Sequence, residues 1–188
     1  MKHIELIPEP RCIGAPFCGN DLLSFFLECS YEPIYASNIW GKLLDRADSI
    51  YMISVVRNPW EKMHHQFTSY KKNKGDLDFK SFLKKVSSYS GSQNTYIQPS
   101  LCRYQLNYFP YILDHKGNCL VDYVARYENL TKDYFKIIKT LEIDIDDSFN
   151  PIHPDYNLDY KDCYDQESID LISVKFKEEI EAFNYSYD

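Results

Sequence analysis

The strongest hydrophobic pattern in this chain lies between Ser49 and Tyr70. It begins with an apolar run, 50–56, that is rich in β-branched and aromatic residues, as expected for a buried strand. After a break at Arg57-Asn58-Pro59, apolar side chains return at helical spacing, at Trp60, Met63 and Phe67. Proline is tolerated in the first turn of a helix. The pattern therefore predicts a strand over 50–56 and a helix that begins near Pro59.

Shorter patterns predict further strands and helices on both sides of this segment. Two short strands are predicted, at Arg11–Ala15, which prolines bound on both sides, and at Cys119–Ala125. Other apolar residues recur at helical spacing. They predict helices over Leu22–Leu27, Trp40–Asp45, Asp76–Val86 (with Asp76 or Asp78 as the cap), Thr131–Leu141 (with Thr131 as the cap) and Gln166–Ala182.

Arg57 is the candidate functional residue within the central pattern. A strand, an arginine, a turn and a helix are the arrangement by which an α/β protein presents a cation and free backbone N–H groups at the carboxyl edge of its sheet. A guanidinium group suits phosphate oxygens. The spacing fits equally well an arginine that ends a strand and pairs with a carboxylate. Both interpretations stay open from the sequence.

Composition restricts the functional classes. The chain has 188 residues, of which 44% are hydrophobic and 26% charged, so residues 1–188 are predicted to form one globular domain. A net charge of −7 argues against general nucleic-acid binding, which needs a basic surface, but it allows one local cationic pocket for a nucleotide. No apolar run approaches the roughly 20 residues that cross a bilayer, so no membrane span is predicted.

The cysteines and the N-terminal sequence bear on localisation. The six cysteines include no CxxC pair, so neither a zinc site nor a redox motif is predicted, and we expect mostly free thiols in a reducing compartment. The N-terminal sequence MKHIELIPEP lacks the apolar core of a signal peptide. Together these features predict a cytoplasmic protein.

Three segments resemble one enzyme family. The string VVRNPWEKMHHQF, which includes Arg57, resembles the 3′-phosphate-binding segment of the carbohydrate sulfotransferases, the sulfotransferase 2 group. Val121–Leu130 resembles a second family segment, and the tail from Tyr160 to Tyr185 resembles the family's closing motif. The three occur in the family's order and are spread over most of the chain. The resemblance implies an α/β fold of the P-loop-like type, a three-layer sandwich with a central, mostly parallel sheet flanked by helices.

The same resemblance implies a reaction and its substrates. Members move a sulfuryl group from 3′-phosphoadenosine 5′-phosphosulfate (PAPS) to a hydroxyl of a carbohydrate or similar acceptor, by in-line displacement and without a metal. Golgi members carry a membrane anchor, which this chain lacks, so a bacterial or viral type of protein is implied. Positioning and electrostatics provide most of such catalysis.

Pro16–Asp21 lies where the family has its 5′-phosphosulfate loop, which usually reads P-K-T-G-G-T-S. Pro16 and Gly19 match that pattern, and the other residues depart from it. Phe17 replaces the lysine that stabilises the leaving group, Cys18 the first threonine, Asn20 the second glycine and Asp21 the second threonine. The resemblance therefore implies donor binding by Pro16, Phe17, Cys18, Gly19, Asn20 and Asp21, without the family's cation.

Other donor contacts are implied for Arg57, His65 and Arg126. Arg57 would hold the 3′-phosphate, and His65 stands where the family has a phosphate-binding serine. Arg126 belongs to an Arg–Glu pair that lies near the nucleotide in the family. The alternatives are an exposed helix surface for His64 and His65, and a structural ion pair for Arg126 with Glu128. No residue is predicted as the catalytic base.

Two functions follow from these observations. The first is a PAPS-dependent sulfotransferase. The second is a protein that keeps the sulfotransferase fold but has lost catalysis, and serves as a nucleotide-binding or protein-interaction module. Phe17, Asp21 and His65 favour the second function because they replace donor-binding groups of the family. Arg57 and the tail favour the first.

Overall fold

A computed structural model describes residues 9–13, 23, 27, 31–32, 50–88, 107–113, 117–144 and 158–187. In chain order the strands and helices are β1 (Glu9–Ile13), β2 (Tyr31–Glu32), β3 (Ile50–Val56), α1 (Pro59–Lys72), α2 (Phe79–Ser87), α3 (Phe109–Ile112), β4 (Tyr123–Arg126), α4 (Leu130–Thr140), α5 (Gln166–Lys175) and α6 (Lys177–Phe183). Two 3₁₀ turns, Tyr127–Asn129 and Leu158–Cys163, precede α4 and α5.

The chain divides into two compact units. The first comprises Met1–Val56 and Tyr108–Pro154, and the second comprises Arg57–Asn107 and Asp155–Asp188. The sheet belongs to the first unit, whereas α1, α2, α5 and α6 belong to the second. The prediction that residues 1–188 form a single domain stays a prediction.

The sheet of the first unit has the strand order β2-β1-β3-β4, and each pair of neighbouring strands is parallel. Its central strand β3 confirms the strand predicted over 50–56. Ile53 and Val55 are fully buried, and Met52 and Val56 are nearly so, which is typical of a parallel strand covered on both faces. The α/β class and the parallel sheet are therefore confirmed, whereas the three-layer sandwich is not established by these elements.

The N-terminal strand differs from its prediction at its start. β1 begins at Glu9, and Pro10 lies inside it, in register with Tyr51 of β3. Because proline cannot donate a hydrogen bond to a neighbouring strand, Pro10 is expected to precede the strand rather than to lie inside it. In the structure β2 pairs only with Cys12 and Ile13, so Pro10 has a strand neighbour on one side alone among the described residues.

The strand predicted over 119–125 also begins later. Cys119 forms only an isolated antiparallel bridge with Leu113, and β4 runs from Tyr123 to Arg126. The later start of β4 is explained by the contacts of Asp122 with β3. Its carboxylate accepts a hydrogen bond from the Met52 N–H at 2.7 Å, and its own N–H donates to the Met52 carbonyl at 2.8 Å. A side chain therefore takes the place of a regular strand pairing there.

The helix that follows β4 begins one residue before the predicted cap. α4 starts at Leu130, so Thr131 lies within the helix and the capping prediction for it is wrong. The 3₁₀ turn Tyr127–Asn129 leads directly into α4, and Asn129 occupies the cap position without a side-chain hydrogen bond. Because the turn supplies a helical start, a capping side chain is not needed at Thr131.

In the second unit, α1 and α2 confirm the helices predicted after Pro59 and over 76–86. Asp78 caps α2 by accepting a hydrogen bond from the Ser81 N–H at 2.8 Å. The single helix predicted over 166–182 is wrong in one respect, because it is interrupted at Phe176, which separates α5 from α6. No glycine or proline lies near the interruption, and Phe176 itself is almost fully buried.

Two predicted helices fall largely outside the described residues. The helix predicted over Trp40–Asp45 lies entirely outside them. Of the helix predicted over 22–27, Leu23 and Leu27 are described: both are buried, and the Leu27 N–H donates to the Leu23 carbonyl at 3.0 Å, as in one helical turn. Among the helices of the described ranges, none has the length and apolar character needed to cross a membrane.

Candidate functional site

The sheet has a topological switch point between β1 and β3. β1 lies between β2 and β3, so the chain leaves β1 towards one neighbour and later returns on its other side. Because these strands are parallel, their carboxyl ends share one edge of the sheet. Ligands of open α/β sheets bind at such an edge, next to the switch point. The strand arrangement therefore directs attention to the residues that follow β1, β3 and β4.

Two of the predicted site residues lie at the end of a strand, or directly after it, along the chain. Arg126, the last residue of β4, is in register with Val56, the last residue of β3. Arg57 is the next residue along the chain after Val56. The residues that follow β1, including Pro16, Phe17, Cys18, Gly19, Asn20 and Asp21, lie outside the described residues, so their donor contacts stay predictions.

Arg57 forms a buried ion pair with Glu61. Its Nη2 atom lies 2.8 Å from the Glu61 Oε1 atom, and the two side chains are only 3% and 5% exposed. The pair spans four residues, as for side chains on one face of a helix. Of the two interpretations left open for Arg57, the pairing with a carboxylate is therefore present in the structure. Anion binding by Arg57 stays a prediction.

The N–H groups at the start of α1 are hydrogen-bonded within the chain. Asn58 caps the helix, and its side-chain Oδ1 atom accepts from the N–H groups of Trp60 at 3.0 Å and Glu61 at 3.4 Å. The Lys62 N–H donates to the Asn58 carbonyl at 2.8 Å. The expectation of free backbone N–H groups at this helix start is wrong because Asn58 is itself an efficient cap.

The tail of the chain holds the Asn58–Trp60 segment in place. Asn58 Nδ2 donates to the Ser186 carbonyl at 3.0 Å, and the Tyr164 hydroxyl donates to the Trp60 carbonyl at 2.8 Å. The Trp60 ring meets the Tyr187 ring edge to face, with centroids 5.8 Å apart. Burial, and secondarily the neighbouring Tyr187, raises the pKa of Tyr164 well above its usual value. Two segments that carry the family resemblance are thus packed together.

His65 is exposed on α1, and His64 is partly exposed with its ring edge to face against Phe79, 5.9 Å between centroids. The helix-surface interpretation of this histidine pair therefore agrees with its placement. A phosphate contact by His65 stays a prediction. Within the described ranges, no group of three His, Cys, Asp or Glu side chains is arranged to hold a metal ion.

Three buried polar residues of α1 were not singled out from the sequence. Glu61 is 4%, Lys62 1% and Gln66 0% exposed. Lys62 Nζ lies 5.4 Å from the centroid of the Phe176 ring, and neither polar atom of the Gln66 amide has a hydrogen-bond partner among the described residues. The four-residue spacing of Arg57 and Glu61 could have indicated that their side chains form an ion pair. The burial of Lys62 and Gln66 had no such signal, since charged and amide side chains ordinarily face water.

Asp133 holds Arg126 through its backbone. One oxygen of this nearly buried carboxylate accepts from the Arg126 N–H at 2.8 Å, and the other accepts from the Tyr123 hydroxyl at 2.8 Å and Lys136 Nζ at 3.0 Å. Burial and the hydrogen bond to Asp133 raise the pKa of Tyr123, and the same carboxylate raises the pKa of Lys136. Donor contact by Arg126, and its pairing with Glu128, stay predictions.

Comparison of the chain with protein-family models, with curated proteins and with solved structures found no match in any of the three. The resemblance to the sulfotransferase 2 group therefore stays a prediction that is based on the motifs quoted above. Any function has to be argued from the site itself.

Proposed function

We propose that this protein is a sulfotransferase that transfers a sulfuryl group from PAPS to a hydroxyl of a carbohydrate or similar acceptor. In this proposal its fold is a P-loop-like three-layer sandwich. Arg57 holds the 3′-phosphate of the donor, His65 and Arg126 add donor contacts, and the Pro16–Asp21 segment receives the 5′ end. The exposed Cys119 forms no disulfide with any other described residue, which is consistent with the reducing, cytoplasmic location that we propose.

The observation that carries the proposal is the position of the switch point. β1 and β3 are parallel neighbours, and the arginine of the RNPW segment directly follows β3. In an α/β sheet this is the edge at which nucleotides bind. Arginine is also the side chain best suited to phosphate oxygens. A nucleotide with a phosphate that Arg57 can reach is therefore the ligand that the sheet and the motif jointly favour.

A second function is favoured by the contacts of Arg57 and Asn58. The Arg57 guanidinium already has the Glu61 carboxylate as a partner, and Asn58 already caps the N–H groups at the start of α1. Together with Phe17 in the position of the family's lysine, these contacts favour a protein that has kept the fold without the transfer activity. Such a protein would serve as a nucleotide-binding or protein-interaction module.

Calorimetric titration with adenosine 3′,5′-bisphosphate, followed by an assay of sulfuryl transfer from PAPS, tests both functions. Binding with transfer is the result expected for the sulfotransferase. Binding without transfer to any hydroxyl-bearing acceptor would favour the nucleotide-binding module, and no binding at millimolar nucleotide would favour the interaction module.

The variant that tests Arg57 has to avoid leaving a buried charge. Arg57→Met alone would strand the Glu61 carboxylate, which destabilises a protein strongly. We therefore combine Arg57→Met with Glu61→Gln, and expect at least about a tenfold loss of affinity for the bisphosphate. Lys62→Met is the matched control, because it removes a different buried cation that lies five residues further along the same compact unit. An equal loss in both variants would contradict a direct role for Arg57.

A further inference from the structure

The start of α1 contains an internal carboxylate in the place where an external anion would bind. Glu61 lies in the first turn of α1, where a negative charge interacts favourably with the helix dipole, and its carboxylate contacts the Arg57 guanidinium at 2.8 Å. These are the two stabilising contributions that this helix start offers a phosphate group. The Glu61 carboxylate itself interacts with the helix dipole and with the Arg57 guanidinium.

We propose that Glu61 is an internal competitor that sets the affinity and the phosphate selectivity of the Arg57 site. An anion that binds Arg57 must displace the Glu61 carboxylate or share the guanidinium with it. The inference rests on the proposed function for anion binding at Arg57 and for the identity of the anion, the 3′-phosphate of the donor. It assigns Glu61 a role that opposes binding, whereas a residue that merely orients Arg57 would support binding.

The sign of the effect follows from the charges. Arg57 and Glu61 are both almost fully buried and neutralise each other, so their net contribution to the attraction of an anion is close to zero. A phosphate drawn to Arg57 also approaches the Glu61 carboxylate, and like charges repel strongly where water is excluded. Replacing Glu61 by glutamine keeps the side-chain shape and removes this repulsion. The Arg57 guanidinium then keeps its charge, and the ligand no longer competes with the Glu61 carboxylate for it.

The test is calorimetric titration of wild-type protein and Glu61→Gln at neutral pH and low temperature. The ligands are adenosine 3′,5′-bisphosphate, adenosine 5′-monophosphate and inorganic phosphate. We expect Glu61→Gln to bind the bisphosphate and inorganic phosphate about tenfold more tightly than wild type. We expect no comparable gain for the monophosphate, which lacks the 3′-phosphate. Unchanged or weaker binding of the bisphosphate by Glu61→Gln would overturn the inference.

Glu179→Gln is the matched control. Glu179 is a buried glutamate of the same compact unit and is 4% exposed, as is Glu61. The Glu179→Gln substitution should leave the affinities for all three ligands unchanged. This result would separate a local effect at Arg57 from the general effect of removing one negative charge. Equal gains in Glu179→Gln and Glu61→Gln would overturn the local role.

Two results separate this inference from the proposed function. If Glu61→Gln gains affinity for inorganic phosphate while no variant binds the bisphosphate, the competitor role holds and the sulfotransferase function fails. If wild type binds the bisphosphate and Glu61→Gln binds it no more tightly, the competitor role fails while the nucleotide binding that the sulfotransferase function requires is retained. Should Glu61→Gln not fold, the ¹³C resonance of the Glu61 carboxyl in wild-type protein serves instead. It should shift when phosphate is added, and an unmoved resonance at saturating phosphate would overturn the inference.

Discussion

The two junctions at which a strand is followed by a helix, one at Arg57 and one at Arg126, use an acidic residue in opposite ways. At the first, the Glu61 carboxylate contacts the arginine side chain, and Asn58 caps the helix. At the second, the Asp133 carboxylate contacts the arginine backbone N–H, and no side chain caps the helix. The first acidic residue therefore pairs with the charge of an arginine, and the second fixes the path of the backbone.

This difference shows why a strand followed by arginine is not by itself evidence of an anion site. Both junctions carry an arginine at the carboxyl end of a parallel strand, and in both an acidic residue of the following helix is a partner. Of these two contacts, only the one at Arg57 joins a carboxylate directly to a guanidinium group. The comparison can be tested by removing each acidic partner, or its arginine, in turn.

The largest expected effect on stability is at Arg57. Arg57→Met should lower the free energy of unfolding by about 3–5 kcal/mol, because it leaves the buried Glu61 carboxylate without its cation. Combining it with Glu61→Met should restore most of that stability. Urea unfolding followed by circular dichroism measures both variants. Arg126→Met, at a partly exposed residue, should cost less, and equal losses at the two arginines would remove the distinction between the junctions.

A smaller but clear effect is expected at Asp133. Asp133→Leu should lower the free energy of unfolding by about 2–3 kcal/mol, because the partly buried Arg126 N–H and Tyr123 hydroxyl lose their acceptor. The same urea unfolding experiment applies. Asp133→Asn should cost less, since its amide oxygen can still accept one of these bonds. If Asp133→Leu left stability unchanged, the proposed control of the backbone at this junction would be wrong.

The smallest expected effect is a gain at Gln66. Asp133 and Gln66 are both buried polar side chains in the helices that follow these junctions, but Asp133 has several partners and the Gln66 amide has none. Gln66→Met should therefore raise the free energy of unfolding by about 1–2 kcal/mol, because it removes an unsatisfied amide at similar volume. Thermal unfolding measures the gain, and a lower melting temperature would indicate that the amide has a partner in solution.

Local patterns were sufficient for the elements whose residues decide their own structure. The apolar run of β3 and the helical spacing of α1 are properties of consecutive residues, and both elements were predicted with their starts. The predictions failed where a distant residue intervened. β4 begins late because Asp122 bonds to Met52, a contact that is not visible in a window of neighbouring residues. The last helix is interrupted at Phe176, where the local sequence contains no glycine or proline to indicate a break.

The same distinction between local and distant residues applies to the features of the candidate site. The sequence alone identified Arg57 and its position after a strand, because these depend only on order along the chain. The tertiary structure decided that β1 and β3 are parallel neighbours, that the pair of Arg57 and Glu61 is buried, and that Gln66 has no partner. Burial and strand order arise from contacts between residues far apart in the chain, and these contacts determine whether a charge is available to a ligand.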